Sequence, residues 1–289
     1  MGMVIMNWTD MSTEVIVART RSPKWDETDM GTAKQQGEIW GTRAQDWATA
    51  NEPAWNQVFE TVLEEAGVSR GSHLLDIGCG AGGALVLARQ RGAEVSGLDA
   101  AEALVAIALG RLPGAKIEIG EMEELPFANE SFDIVIGINS FQFAGDLVRA
   151  LSEARRVCRK NGTVAMLVWG NREDCDLLTK VMPSVFALLP PPQPDAPRPL
   201  PLADGGVIEG VMVQAGLNPK DAIEFSSPLE FADAALAVRA MMSASARAIA
   251  HGGEKRVKST IEDALRSATR SDGSVRLDNR FRLVLASRH

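Results

Sequence analysis

The sequence lacks a long uninterrupted apolar run, a basic tract and a disulfide-sized set of cysteines, and each absence excludes a class of protein. In the opening MGMVIMNWTDMSTEVIV, Asp10 and Glu14 interrupt the apolar residues where a signal peptide would keep its core. No stretch approaches the roughly 20 consecutive apolar residues of a membrane span, so stable membrane insertion is not expected. The chain carries 30 Lys and Arg against 38 Asp and Glu, a formal charge of −8, and its basic residues are scattered. Nucleic acid is therefore not an expected partner, because phosphate binding needs clustered cations to displace counterions. Cys79, Cys158 and Cys175 cannot build a disulfide framework, and none stands at metal-ligand spacing with a histidine. A reducing, cytoplasmic setting with no metal is expected. A homodimer is left open.

What is present is an ordinary globular composition, 45% hydrophobic and 24% charged over 289 residues, which fits one elaborated α/β domain or a domain with a cap. Residues 1–35 are polar, mixed and rich in Met, and read as a mobile arm. Residues 36–70 read as a helical cover, punctuated by Trp40, Trp47 and Trp55, with a helix start near Pro53 and an end at Gly67. From residue 71 to 172 short apolar runs alternate with amphipathic segments, the pattern of βαβ units and a parallel sheet. Strands are predicted at 73–77, 94–99, 116–120, 132–138 and 163–169, with helices near 82–91, 101–110 and 145–159. Residues 173–275 read as a helical cap and substrate region that includes the sixth helix and strand of the sheet. It opens with a helix running into a proline-rich surface connector. Helices are expected at 203–216, 231–250 and 254–269, and the AIEFSSPLEF run reads as one strand. Residues 276–289 read as an edge or hairpin strand completing the sheet.

The segment LLDIGCGAGG carries the heaviest functional signal. A strand ends at Ile77, and Gly78, Gly80 and Gly82 let the backbone turn sharply and approach a ligand with no Cβ in the way. Gly78, Gly80 and Gly83 also satisfy the dinucleotide spacing G-x-G-x-x-G, a pattern of low specificity by itself. Asp99 at the end of the second strand suits either cofactor, since a carboxylate there accepts from ribose hydroxyls. Asp76 separates the two: it would repel a bound pyrophosphate but would suit an ammonium group.

With these residues in view, LDIGCGAG from Leu75 to Gly82 resembles the first signature motif of class I S-adenosylmethionine-dependent methyltransferases. SGLDA resembles their second-strand motif, with Asp99 in the ribose-binding position and Ala100 beside it. GEMEELPF from Gly120 to Phe127 is similar to a stretch of the methyltransferase type 11 group, with Glu121 where Asp is usual. SFDIV from Ser131 to Val135 matches the fourth strand, and RKNGT from Arg159 to Thr163 matches the turn before the fifth, with Asn161 in place of Pro. The flanking regions are more diffusely similar to small-molecule methyltransferases related to those of quinone biosynthesis. The resemblance implies a doubly wound, Rossmann-like, mostly parallel sheet of seven strands whose last strand is antiparallel, with N-terminal helices and an inserted helical cap. It implies S-adenosyl-L-methionine as cofactor and S-adenosyl-L-homocysteine as product. In the site that it implies, Asp76, Gly78, Cys79, Gly80 and Gly82 form the loop. Glu121 meets the adenine amino group, the Met122 backbone meets a ring nitrogen, and Ile138 and Asn139 border the methionine end.

Other residues are weighed on chemistry. Cys79 is a loop residue contributing its amide rather than a nucleophile, because no histidine stands near it. Trp40 and Trp47 either cover the cationic cofactor with aromatic faces or pack their helix onto the sheet. Gln142, Phe143 and Trp169 follow strands at the carboxyl edge, where open α/β sheets bind ligands, and are candidate substrate-pocket residues. His251, between two helices of the cap, is the candidate general base for an acceptor that needs one. The expected function is transfer of a methyl group to a small, apolar organic acceptor by direct displacement. The alternatives are a non-methylating or regulatory S-adenosylmethionine-binding protein and an NAD-dependent oxidoreductase.

Overall fold

The computed structural model describes residues 31–191 and 200–288. Residues 1–30 of the expected arm and 192–199 of the proline-rich connector lie outside the described residues. The last residues of that arm are helical, because α1 (Ala33–Gly41) begins before residue 36.

The cover continues through a short turn at Ala44–Asp46, a π-helical turn at Trp47–Asn51 and a 3₁₀ turn at Glu52–Trp55 into α2 (Asn56–Glu65). The core then alternates as the apolar runs dictate: β1 (His73–Ile77), α3 (Gly83–Gln90), β2 (Glu94–Asp99), α4 (Glu102–Arg111), β3 (Lys116–Ile119), β4 (Phe132–Ile138), α5 (Leu147–Val157) and β5 (Cys158–Trp169). β5 starts five residues before the expected strand. Its register against β4 shifts between Phe132 and Ile134, and residues 158–162 bulge there instead of forming a loop.

Helix α5 shows why its segment is helical. Leu147, Ala150, Leu151, Ala154 and Val157 recur at three- and four-residue spacing and are buried, and Asp146 caps the helix by accepting from the Arg149 amide at 3.0 Å.

Beyond the core lie helical turns at Leu177–Val181, α6 (Met182–Phe186), α7 (Val207–Gln214), β6 (Asn218–Pro219), β7 (Ile223–Ser226), β8 (Leu229–Phe231), α8 (Ala234–Ser243), α9 (Ala246–Gly252), α10 (Glu254–Leu265), β9 (Val275–Leu277) and β10 (Arg280–Ser287). The central sheet runs β3-β2-β1-β4-β5-β10-β6, parallel through β5 and antiparallel at β10, with β7 also pairing with β10. This is the doubly wound, Rossmann-like class, with eight strands in place of seven.

Three expectations need correction. The run read as one strand at 222–231 is two, because β8 leaves the sheet to pair with β9 in a separate ribbon. Pro228, with no N–H to donate, stands between them. The C-terminal strand is not an edge: β10 lies between β5 and β6/β7, and Phe281–Ala286 are all buried. The helix expected at 231–250 breaks at Ala244 and Ser245 into α8 and α9.

Alternate residues of one strand feed opposite layers. Leu74 packs with Val58, Leu63 and Leu85 on the face of α2 and α3, while Leu75 and Ile77 pack with Leu151, Ala154 and Ile208 on the face of α5 and α7. The carboxyl ends of β1, β2 and β4 therefore emerge between two fixed layers, and the site forms there.

Candidate active site

The turn after β1 has Gly78, Gly80 and Gly82 at φ of +77°, +56° and +85°. Side chains are strained at such angles, and space is also short at Gly78, where an added Cβ would lie 2.4 Å from Ser140 Cβ. The Gly78 and Cys79 amides donate to Leu98 O at 2.7 and 3.0 Å, and Ser140 Oγ donates to Ile77 O at 2.6 Å. The loop is thus tied to β2 on one side and to the end of β4 on the other.

Asp99 makes the next tie. Its carboxylate accepts from the Gly80 amide and from the Ala101 amide, each at 2.8 Å. Burial raises its pKa, and these amides act against that rise by stabilising the charge. Asp76, 3% exposed, is different: its Oδ1 has no hydrogen-bond partner among the described residues. Burial first, then the charges of Asp99 and Glu52, pushes its pKa up to about 8.

A cavity at the sheet's carboxyl edge is lined by Gly78, Cys79 and Gly80 of the loop, by Asp76, Asp99 and Ala100, and by Met122, Ile138 and Asn139. Its aromatic wall comes from Trp40, Trp47, Trp55, Phe59 and Phe143. Trp40 stands edge-on to Trp47 at 5.1 Å between ring centroids and to Phe143 at 5.6 Å. Trp47 Nε1 has no hydrogen-bond partner among the described residues. Among the described residues, none of those lining the cavity is a Lys, Arg or His.

The expected loop and strand-end residues thus converge, and five others do not behave as expected. Gly82 backs onto α4, where a Cβ would meet Leu112 and Ala108, so it serves the turn and not the cavity. Glu121 is drawn away by the start of α1, its Oε2 accepting from the Ala33 amide at 2.8 Å; only its neighbour Met122 lines the cavity. Gln142 is not a lining residue either. Its Nε2 donates to Asn139 Oδ1 at 2.6 Å, bracing an asparagine held at a φ of +54°. Trp169 packs behind the cavity against Trp55 and Phe281, with centroids at 5.2 and 4.9 Å. His251 is exposed on the last turn of α9 and does not line the cavity, so it holds no position for proton transfer there. Cys79 stays with the loop as expected: it lines the cavity, and burial and the charges of Asp99, Asp76 and Glu52 raise its thiol well above the ordinary range, which disfavours a thiolate nucleophile.

Sequence reasoning missed Glu52, Gln36, Leu104 and Ser140 among the lining residues. Glu52 had a faint signal, an acidic residue beside Pro53 at a helix start, and nothing local to tie it to a loop 29 residues away. The cap reaches the cover rather than the cavity: Asn51 Nδ2 donates to Ala240 O at 2.9 Å, and Arg239 Nε donates to Asp46 Oδ1 at 3.2 Å.

All three cysteines are free and buried. Among the described residues no His, Cys, Asp and Glu cluster could hold a metal ion, and no helix is long and apolar enough to cross a membrane.

Residues 75–166 match a family model described as a methyltransferase domain. An uncharacterized protein of Mycobacterium tuberculosis is 30% identical over 128 residues, 43% of this chain and 47% of that protein. Malonyl-[acyl-carrier protein] O-methyltransferase of Methylococcus capsulatus is 36% identical over 104 residues, 34% of this chain and 38% of that enzyme. The chain spans less than half the length of these curated relatives. Geranyl diphosphate C-methyltransferase from Streptomyces coelicolor, solved with Mg2+, geranyl diphosphate and S-adenosyl-L-homocysteine, is 14% identical with a TM-score of 0.53, covering 89% of this chain and 98% of that one. That likeness is one of fold.

Proposed function

We propose, from a core at residues 75–166 that matches a methyltransferase-domain model, that this chain is a class I S-adenosylmethionine-dependent methyltransferase that transfers a methyl group to a small, apolar organic acceptor by direct displacement. The observation that carries the proposal is the charge arrangement around the loop. Asp99 is anchored by two amides, Asp76 presents a buried oxygen with no partner among the described residues, and none of the described residues that line the cavity is a cation. An amino-acid nucleoside with a cationic sulfur and an ammonium group supplies what these residues want, since buried charges need partners.

When bound, that cofactor supplies an activated methyl group with its own leaving group. The chain's task is then alignment and exclusion of water. Asp99, its amide bonds already made, has lone pairs left for ribose hydroxyls. Asp76 faces the ammonium, Leu104 and Met122 flank the base, and Ile138 with Asn139 borders the methionine end. Trp40, Trp47, Trp55, Phe59 and Phe143 form a wall that keeps water out and favours an apolar acceptor. Residues 36–70 act as the cover, 71–172 as the cofactor core and 173–275 as the cap that holds the cover in place.

The test is incubation of the full chain with S-adenosylmethionine labelled in its methyl group and a panel of quinols, phenols, amines and acids. Label is expected in an uncharged apolar acceptor. Tight S-adenosylhomocysteine binding with no transfer to any class would favour a regulatory cofactor-binding protein, and absence of binding would refute the cofactor assignment.

A further inference from the structure

Glu52 belongs to the cover, yet its carboxylate lies at the start of α3, 4% exposed. Oε1 accepts from the Ala81 amide at 2.8 Å, and the Gly83 amide faces the same group. Oε2 lies 2.6 Å from Arg111 Nη1, and Arg111 also donates to Ala81 O at 3.0 Å and Ala48 O at 2.8 Å. Cover, loop and the end of α4 are joined through one ion pair whose carboxylate is buried and whose guanidinium reaches solvent. Burial raises the Glu52 pKa, and the Arg111 contact opposes that rise.

A helix N-terminus that follows a strand and a glycine turn is where α/β folds hold the pyrophosphate of a dinucleotide, because free amides and the helix dipole point at it. Gly78, Gly80 and Gly83 have the dinucleotide spacing, so spacing alone does not separate the two cofactor classes. The occupant does. In this chain the amides are taken by the protein's own anion, and an incoming diphosphate would have to displace a carboxylate already matched to Arg111.

We propose that Glu52 is a specificity-determining residue that fills the phosphate position of the glycine turn and thereby keeps dinucleotides out of the cavity, resting on the S-adenosylmethionine reading for the ligand that is admitted. Its place also explains the wall around it. A Cβ on Gly80 would stand 3.1 Å from both Glu52 Oε1 and Trp47 Nε1, so carboxylate and indole pack directly over the turn.

Calorimetric titration of the full chain, of Glu52→Ala and of the Glu52→Ala, Arg111→Met double variant tests this, with S-adenosylhomocysteine, inorganic pyrophosphate and NADH as separate titrants. The wild type should bind S-adenosylhomocysteine and neither diphosphate. Glu52→Ala bares two amides and an unpaired guanidinium, so its pyrophosphate affinity should rise by about tenfold or more, as charge-assisted hydrogen bonds form. The double variant should lose most of that gain. A folded Glu52→Ala with no gain, or a wild type that binds NADH as well as S-adenosylhomocysteine, overturns the proposal. A wild type that ignores S-adenosylhomocysteine while Glu52→Ala gains pyrophosphate would sink only the cofactor reading. Should Glu52→Ala not fold, hydrogen exchange in the wild type decides: the Ala81 amide should be protected without ligand, and free exchange there overturns the proposal.

Discussion

The Asp99 carboxylate accepts from the Gly80 amide at 2.8 Å, so the end of β2 fixes the conformation of the loop that follows β1. Its other oxygen is held by Ala101. One side chain thus shapes the loop and faces the cavity, and its loss should be felt in binding. Asp99→Ala is expected to weaken S-adenosylhomocysteine binding by about 1–3 kcal/mol, the scale of losing hydrogen bonds to a charged group. Unchanged affinity by calorimetry would contradict the role.

Gly80→Val should abolish cofactor binding in a chain that still folds. The residue has a φ of +56°, and a side chain there would press on Glu52 and Trp47 at the cavity wall. Strain at one turn costs about 1–3 kcal/mol, less than the stability of most domains. Circular dichroism and calorimetry together check this, and normal binding would remove the loop from the site.

Asp76 makes stability and binding depend on pH in opposite senses. Its pKa rises from 3.8 to about 8 on folding, through burial and the facing charges of Asp99 and Glu52, with the Cys79 thiol also close enough to sense it. Between those values the folded chain holds a proton that the unfolded chain has lost, so stability is full below pH 4 for this group and falls as pH rises towards 8. A ligand ammonium favours the ionised form, so S-adenosylhomocysteine affinity should climb over the same interval. Both slopes should shrink in Asp76→Asn; identical pH profiles for the two proteins would refute the assignment.

Much of this was legible from the sequence, for a physical reason. β1, β2 and β4 are short apolar runs ended by polar turns, and the structure places them at His73–Ile77, Glu94–Asp99 and Phe132–Ile138, as read. Asp76, Gly78, Gly80 and Asp99 lie on such strand ends, so local pattern and site coincide. What was not legible depends on partners distant in sequence. Glu121 was assigned by its motif but is claimed by Ala33, 88 residues away. Glu52 has partners at Ala81 and Arg111, and β8 finds β9 across three helices. No periodicity encodes such pairings.

Arg282 on β10 should matter for stability rather than binding. It is 6% exposed and pairs with Glu209 of α7 at 2.5 Å and Glu224 of β7 at 3.0 Å. Arg282→Ala would leave Glu209 without its cation, while Glu224 keeps its pairing with Arg280 at 3.0 Å. Breaking a buried pair costs about 3–5 kcal/mol, and the lower end applies because both glutamates reach solvent. Thermal unfolding should show the loss with S-adenosylhomocysteine affinity intact; an unchanged Tm would refute it.

Trp47 decides whether the cover belongs to the cofactor site or only to the packing of the sheet. Its ring stands edge-on to Trp40, while its Nε1 is buried with no partner among the described residues. A buried donor without an acceptor destabilises the free protein, and an acceptor on a ligand would cancel that cost. Trp47→Phe keeps a ring against Trp40 and deletes the donor. If Trp47 serves the cofactor, this variant should bind S-adenosylhomocysteine more weakly by about 0.5–1.5 kcal/mol, the net worth of one hydrogen bond, while its ligand-free Tm holds or rises. If Trp47 only packs α1 and its neighbours, the smaller ring should lower the ligand-free Tm and leave affinity untouched. That second pattern would remove the cover from the cofactor site.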